Sequence, residues 1–231
     1  MISSKASLKF RKIHRYLGLF LGIQFLFWTI SGLYFSWTDL DEIHGDHFKK
    51  INIKKDFEDL ISPSDIDYVN GIESIELRQF NNTPYYWINN ELLINAKTGT
   101  KKDSISKDEA ISISNENILE EYKIRFVEKI YEVGKHHEYR GKPLPAYVIS
   151  YEGSDNLKSY VSTFDGQFQT VRHRNWRWFD FLWMTHTMDY ENRDDFNNKL
   201  IRAFSIMGLI TVMSGFLLWF VTSKTVRKIF K

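Results

Sequence analysis

The sequence predicts an α+β membrane protein: two transmembrane helices flanking an extracytoplasmic α+β domain, with an interfacial amphipathic helix before the second span. Three observations predict it. Two uncharged runs of 21 residues, 17–37 and 203–223, lie towards opposite ends of the 231 residues. The mean hydropathy is only −0.36, so the stretch between them is polar. Aromatic residues reach 16%, with 7 Trp, and such residues collect at membrane interfaces and in cofactor pockets.

At about 1.5 Å rise per residue, each run is long enough to cross a hydrocarbon core of about 30 Å. The first is too long for a cleaved leader, carries Trp and Tyr, and shows no small-residue cleavage site before Trp37. Lys5, Lys9, Arg11, Lys12 and Arg15 precede it, and Lys224, Arg227, Lys228 and Lys231 follow the second run. Cationic flanks stay inside, so both ends are expected to be cytoplasmic. The expected order is a basic N-terminal segment (1–16), span one (17–37), an outer domain (38–172), an interfacial aromatic helix (173–190), span two (203–223) and a basic tail (224–231). Trp28, Tyr34, Trp37 and Trp219 read as interfacial or bundle aromatics.

Within the outer domain one pattern occurs twice. The first copy opens at Ser62-Pro63-Ser64-Asp65, a helix start, and continues through strand-like 72–80, 85–89 and 92–96 to the turn Lys97-Thr98-Gly99. The second opens 44 residues later at Ser106, where Ser106-Lys107-Asp108-Glu109 is a capping box before the apolar face of Ala110, Ile113 and Ile118. Strands 124–133, 146–151 and 160–164 follow, with Asp165-Gly166 as turn. Each copy reads as a helix and an antiparallel three-strand meander. HRNWRWFDFLWMTHTMDY then reads as an aromatic helix lying at the outer membrane surface.

Composition removes several chemistries. The net charge is +2 and no nucleic-acid motif occurs, so no nucleic-acid partner is expected. There is no Cys, which excludes disulfides, thiolate zinc sites, iron–sulfur clusters and thiol nucleophiles, and fits an oxidising compartment. Gly-x-Ser-x-Gly, His-Glu-x-x-His and phosphate-loop motifs are absent, against a hydrolase.

Imidazole is then the best transition-metal ligand on the chain. His14 stands at the cytoplasmic edge of span one, with Gly18, Gly22, Phe25, Thr29 and Gly32 above it at helical pitch; span two has Gly208, Thr211, Gly215 and Thr222. Close helix packing through small residues accounts for the glycines. A haem slot accounts for glycines and histidine together, because a flat macrocycle needs its ligand on one turn and no bulk on the next. Headgroup contact by a histidine in a basic cluster is the third reading. His44 and His47, in DEIHGDHF with Asp39, Asp41, Glu42 and Asp46, fit a divalent-metal site, an axial haem ligand facing His186, or a solvated acidic loop. His136 and His137 belong to a loop tip, and His173, opening the interfacial helix, is placed to meet headgroups.

RKIHRYLGLFLG with the later Ser31-Gly32, WMTHTM, and Ser214-Gly215 followed by Leu218-Trp219 resemble the PepSY-associated transmembrane family; SKDEAISI with its strand and Asp-Gly turn resembles a PepSY domain. Larger relatives have four helices and two b-type haems and act as siderophore-iron reductases of the bacterial inner membrane. The resemblance implies haem b ligated by histidines at the helix ends, where His14 and His186 match; in the haem reading of the residues, His44 or His47 is the further outer ligand and Gly18 and Gly22 clear the helix face. It implies electron transfer to extracytoplasmic ferric iron, as a ferric siderophore, or to a partner redox protein. Two spans do not make a four-helix bundle, so a homodimer or a partner membrane subunit is expected. The competing expectation is a non-enzymatic PepSY anchor that binds a peptidase or envelope protein.

Overall fold

The computed structural model describes residues 4–51, 56–67, 71–193 and 195–223. The expected basic tail, 224–231, lies outside the described residues. The elements are α1 (Ser4–Trp37), α2 (Leu40–His44), β1 (Ile75–Phe80), β2 (Thr83–Ile88), β3 (Leu92–Asn95), β4 (Lys101–Lys102), α3 (Lys107–Asn117), β5 (Ile124–Ile130), β6 (Ala146–Tyr151), β7 (Lys158–Ser162), β8 (Phe168–Arg172), α4 (Arg174–Thr187) and α5 (Lys199–Thr222). The chain forms two units, Met1–Thr38 with Phe179–Lys231, and Asp39–Trp178.

In the helical unit, α1 begins well before the first uncharged run. No Pro or Gly interrupts residues 4–17, so the basic segment continues the helix, and Lys9, Arg11, Lys12 and Arg15 project from its first turns, exposed. α5 starts at Lys199 because Asn198 accepts the Ile201 N–H at 2.9 Å and caps it. Two stretches, Arg11–Trp37 and Lys199–Phe220, are long and apolar enough to cross a membrane. Only 11% of the most apolar window of either is buried, whereas the core helix of a soluble protein hides such a window. Leu19, Ile23, Leu209 and Phe216 are each more than half exposed, a surface suited to lipid.

α4 ends at Thr187, short of the expected 190, because Met188 adopts a left-handed φ of 53°. Asp189 then folds the loop back on itself, accepting the N–H groups of Glu191, Asn192 and Asp195. Asp180 pairs with Arg193.

The other unit holds two four-stranded antiparallel meanders, in the orders β1-β2-β3-β4 and β5-β6-β7-β8. Two of the hairpins turn on asparagine pairs with positive φ, Asn81-Asn82 (51° and 59°) and Asn89-Asn90 (53° and 58°), the conformation whose twist matches paired strands. Each sheet gains a strand that periodicity missed, β4 of two residues and β8 (FQTVR). The first copy opens with a single 3-10 turn at Pro63–Asp65, where Ser62 makes no side-chain cap; residues 68–70 lie outside the described residues. The second opens as expected, with the reciprocal Ser106–Glu109 capping box on α3.

One core joins α3 to both sheets through Phe80, Tyr85, Trp87, Ile113, Ile149 and Val161. The opposite face of each sheet has its own cluster, Tyr86, Ile88 and Ile94 in one and Tyr139, Val148 and Tyr160 in the other. β2 and β6 are therefore covered on both faces, which is why TPYYWI and AYVISY are nearly unbroken apolar runs.

Candidate functional site

The helical unit places its two histidines at opposite ends of α1. His14 is on the third turn, and its Nδ1 lies 2.7 Å from the Ser214 hydroxyl of α5. The ring lies close to Gly215, where a Cβ would come 3.3 Å from His14 Cε1. Further along the pair, the Phe25 ring fills the space over Gly208, where a Cβ would come 2.9 Å from it.

His186 is on the last turn of α4. Its Nδ1 lies 2.7 Å from the hydroxyl of Ser31, which is fully buried on α1. Seventeen residues separate Ser31 from His14, roughly 25 Å along the helix axis. The final carbonyls of α4 would otherwise go unsatisfied in apolar surroundings. Trp28 Nε1 donates to His186 O at 2.7 Å and Gln24 Nε2 to Thr185 O at 3.1 Å. Phe35 stands edge-on to the His186 ring at 5.5 Å, with Trp183 against Phe35 at 5.6 Å. Trp28 is thus a bundle aromatic.

Both serines also donate to their own helix, Ser31 to Phe27 O at 2.6 Å and Ser214 to Thr211 O at 2.7 Å. Among the described residues, neither His14 Nε2 nor His186 Nε2 has a hydrogen-bond partner.

The α1 glycines behave differently from those of α5. A Cβ at Gly18 or Gly22 would meet nothing within 4 Å, whereas Gly208 and Gly215 are in close contact with α1 side chains. The packed face of α1 runs through His14, Leu21, Gln24, Trp28 and Ser31, at spacings of three, four and seven residues; His14 and Phe25 meet α5, Gln24, Trp28 and Ser31 meet α4, and Gly18 and Gly22 lie on its flank. Helix packing explains the α5 glycines and leaves Gly18 and Gly22 unexplained.

The remaining histidines belong to the other unit. His44 ends α2, and Gly45, left-handed at φ 74°, breaks the helix before His47. Both rings are exposed, and His47 lies on Phe48 with centroids 3.9 Å apart. Among the described residues no group of three His, Asp or Glu side chains is arranged to hold a metal ion. His136 is exposed in the β5–β6 loop, and His137 accepts the Tyr139 N–H at 3.1 Å. His173 departs from expectation: it is 2% exposed, so it contacts protein and not headgroups. Its Nε2 donates to Ile43 O at 3.1 Å, and burial pushes its pKa below the ordinary value. Trp176 stays with this unit, 3.9 Å beneath the Arg172 guanidinium.

No family model, curated protein or solved structure matches the chain. What the unit can do follows from its own residues. Two half-buried imidazoles stand near opposite ends of α1, each with one ring nitrogen that could hold a metal or cofactor, and the open flank at Gly18 and Gly22 lies beside His14. Ser31 and Ser214 are the residues whose roles sequence reasoning missed. Each uncharged run holds one Ser-Gly pair, but nothing in the sequence pairs either serine with a histidine.

Proposed function

We propose that this is a b-haem electron-transfer protein of the bacterial inner membrane, with both termini cytoplasmic and the PepSY-like sheet domain outside. The observation that carries the reading is the pair of histidines, His14 and His186, at opposite ends of one helical unit, each ring held through Nδ1. The open flank at Gly18 and Gly22 supports it, because a macrocycle beside His14 needs that space. Haem, when bound, supplies a one-electron couple that an all-imidazole chain without Cys otherwise lacks. The chain's own part is to orient the imidazoles, exclude water with Phe35 and Trp183, and keep the two ends apart.

Each end has one histidine from the spanning unit. A further ligand to a haem held there would come from a second copy of the chain or from a partner membrane subunit. The acceptor in this reading is extracytoplasmic ferric iron, as a ferric siderophore, or a partner redox protein. His44 and His47, both exposed, are the outer-side alternatives as ligands.

The test is an optical spectrum of the detergent-purified full-length protein, oxidised and then reduced with dithionite. A sharp reduced α band, lost in part in each of His14→Ala and His186→Ala, is expected. Full haem in both variants, or protein still colourless after adding haemin, overturns the reading. One observation favours the alternative of a PepSY-like anchor for a peptidase or envelope protein. β1 is a sheet edge with Ile75 and Leu77 exposed, which suits pairing with an added strand.

A further inference from the structure

The two serines define which nitrogen of each ring carries its proton. A hydroxyl has one hydrogen to donate. Ser214 Oγ lies 2.7 Å from Thr211 O, and Ser31 Oγ lies 2.6 Å from Phe27 O. A carbonyl oxygen only accepts, so each hydroxyl hydrogen is committed to the backbone one turn earlier. Towards the histidine each Oγ can then only accept. With the hydroxyl hydrogens so placed, the 2.7 Å contacts read as Nδ1–H···Oγ bonds, from His14 to Ser214 and from His186 to Ser31. A neutral imidazole has a single N–H, so Nε2 retains its lone pair.

We propose that Ser31 and Ser214 are positioning residues that hold His186 and His14 in the Nδ1–H tautomer, presenting Nε2 of each ring as a ready metal ligand. The purpose rests on the haem reading; the tautomer does not. Free histidine in water favours the opposite tautomer, Nε2–H, whose lone pair would point at the serine. Metal-binding histidines are commonly fixed by a bond from the second ring nitrogen to an oxygen. Here that oxygen is a serine hydroxyl, itself oriented by the helix backbone. The arrangement occurs twice, at both ends of α1 and with the donor and acceptor helices exchanged: α1 supplies the histidine to Ser214 and the serine to His186. Helix adhesion alone would be served equally by either direction of the hydrogen bond.

The experiment is nitrogen NMR of the full-length, metal-free protein labelled with ring-¹⁵N histidine, at pH 8 in micelles. His14→Gln and His186→Gln assign the two signals. Nδ1–H signals for both rings are expected. Ser214→Ala should release His14 alone towards Nε2–H, and Ser31→Ala should release His186 alone. Ser214→Thr and Ser31→Thr, which keep a hydroxyl able to bond one turn back, should restore them. In haemin titrations each Ala variant should bind about 10- to 100-fold more weakly at its own end. Rings that are Nε2–H or doubly protonated in the unsubstituted protein overturn the proposal, as does a tautomer indifferent to the serines. If the tautomers behave as expected but haemin does not bind, the haem reading falls and the positioning role stands. If haemin binds and the tautomers ignore the serines, the reverse holds.

Discussion

The Oγ of Ser214 lies 2.7 Å from Nδ1 of His14, so a titratable ring at the edge of one membrane-type helix is tied to the other by a neutral hydroxyl. The same contact ties His186 to Ser31. Between these ties the α1–α5 seam is closed by Phe25 over Gly208. The His14–Ser214 tie and the ring-on-glycine contact fix how α1 and α5 meet, which a smooth apolar surface in lipid does poorly, while the Ser31–His186 tie holds the end of α4 to α1.

The glycines of the two helices should therefore respond differently. At Gly208 a Cβ would come 2.9 Å from Phe25, so Gly208→Leu must expel the ring from the seam. It should cost about 1–3 kcal/mol of stability in detergent. Gly18→Leu enters open space and should stay within about 0.5 kcal/mol. Under the proposed function it should also weaken haemin binding, because it fills the cleared flank. Thermal unfolding of both variants beside haemin titration checks this; equal destabilisation at the two positions counts against the seam.

Trp28 tests how the end of α4 is held. Its indole N–H is a part-buried donor to the His186 carbonyl, at 2.7 Å. Trp28→Phe keeps the ring and removes the donor, at a cost of about 1 kcal/mol. Hydrogen exchange of the last α4 amides should accelerate, with those of α3 unchanged. Uniform exchange rates in the variant and the parent would show that Gln24 alone suffices.

Much of the architecture was readable because strong periodic signals have one solution. Two uncharged runs of membrane length became α1 and α5, and Ser106 with Glu109 became the cap of α3. Boundaries moved where a neighbour decided them, as when Asn198 started α5 early and Met188 stopped α4. Ser62-Pro63-Ser64-Asp65 looks like a cap but gives one 3-10 turn, since a cap needs an amphipathic turn behind it to bury. Of the site, the histidines were legible as residue types. Their serine partners were not, because they stand 200 and 155 residues away and only the fold pairs them. His173 misled for the converse reason: an aromatic segment suggested a membrane surface, while the ring fills a core beside Phe48.

Glu138 should make the sheet unit sensitive to acid. Its carboxylate accepts from Arg177 Nε at 2.5 Å and from the Tyr160 hydroxyl at 2.6 Å. Burial pushes its pKa up, but the hydrogen bonds of Arg177 and Tyr160 and the charges of Arg177 and Lys158 outweigh that and hold it below the ordinary 4.5. Folding thus favours the ionised form. Its contribution is complete above pH 4.5 and is lost as the pH falls through the lower folded value. Glu138→Gln should cost about 1–3 kcal/mol at pH 7 and flatten this part of the acid loss. Urea titrations of the full-length protein at pH 7, 4.5 and 3.5 measure it; parallel acid losses in both proteins would rule out this carboxylate as their source.

Gly166 carries the most exacting steric requirement in the sheet unit. It turns β7 into β8 at φ 65°, a left-handed conformation that a side chain disfavours. It also lies against Phe80, where a Cβ would come 2.7 Å from the ring. Phe80 cannot retreat freely, being 1% exposed and stacked on Tyr85 at 4.1 Å. Gly166→Ala combines both penalties, about 1 kcal/mol for the backbone and about 1–3 kcal/mol for overpacking. Phe80→Leu in the same chain removes ring atoms at the clash and should recover part of the second cost and none of the first. A double-mutant cycle by urea titration separates them, and a coupling energy of zero would show that Phe80 does not set the requirement for glycine.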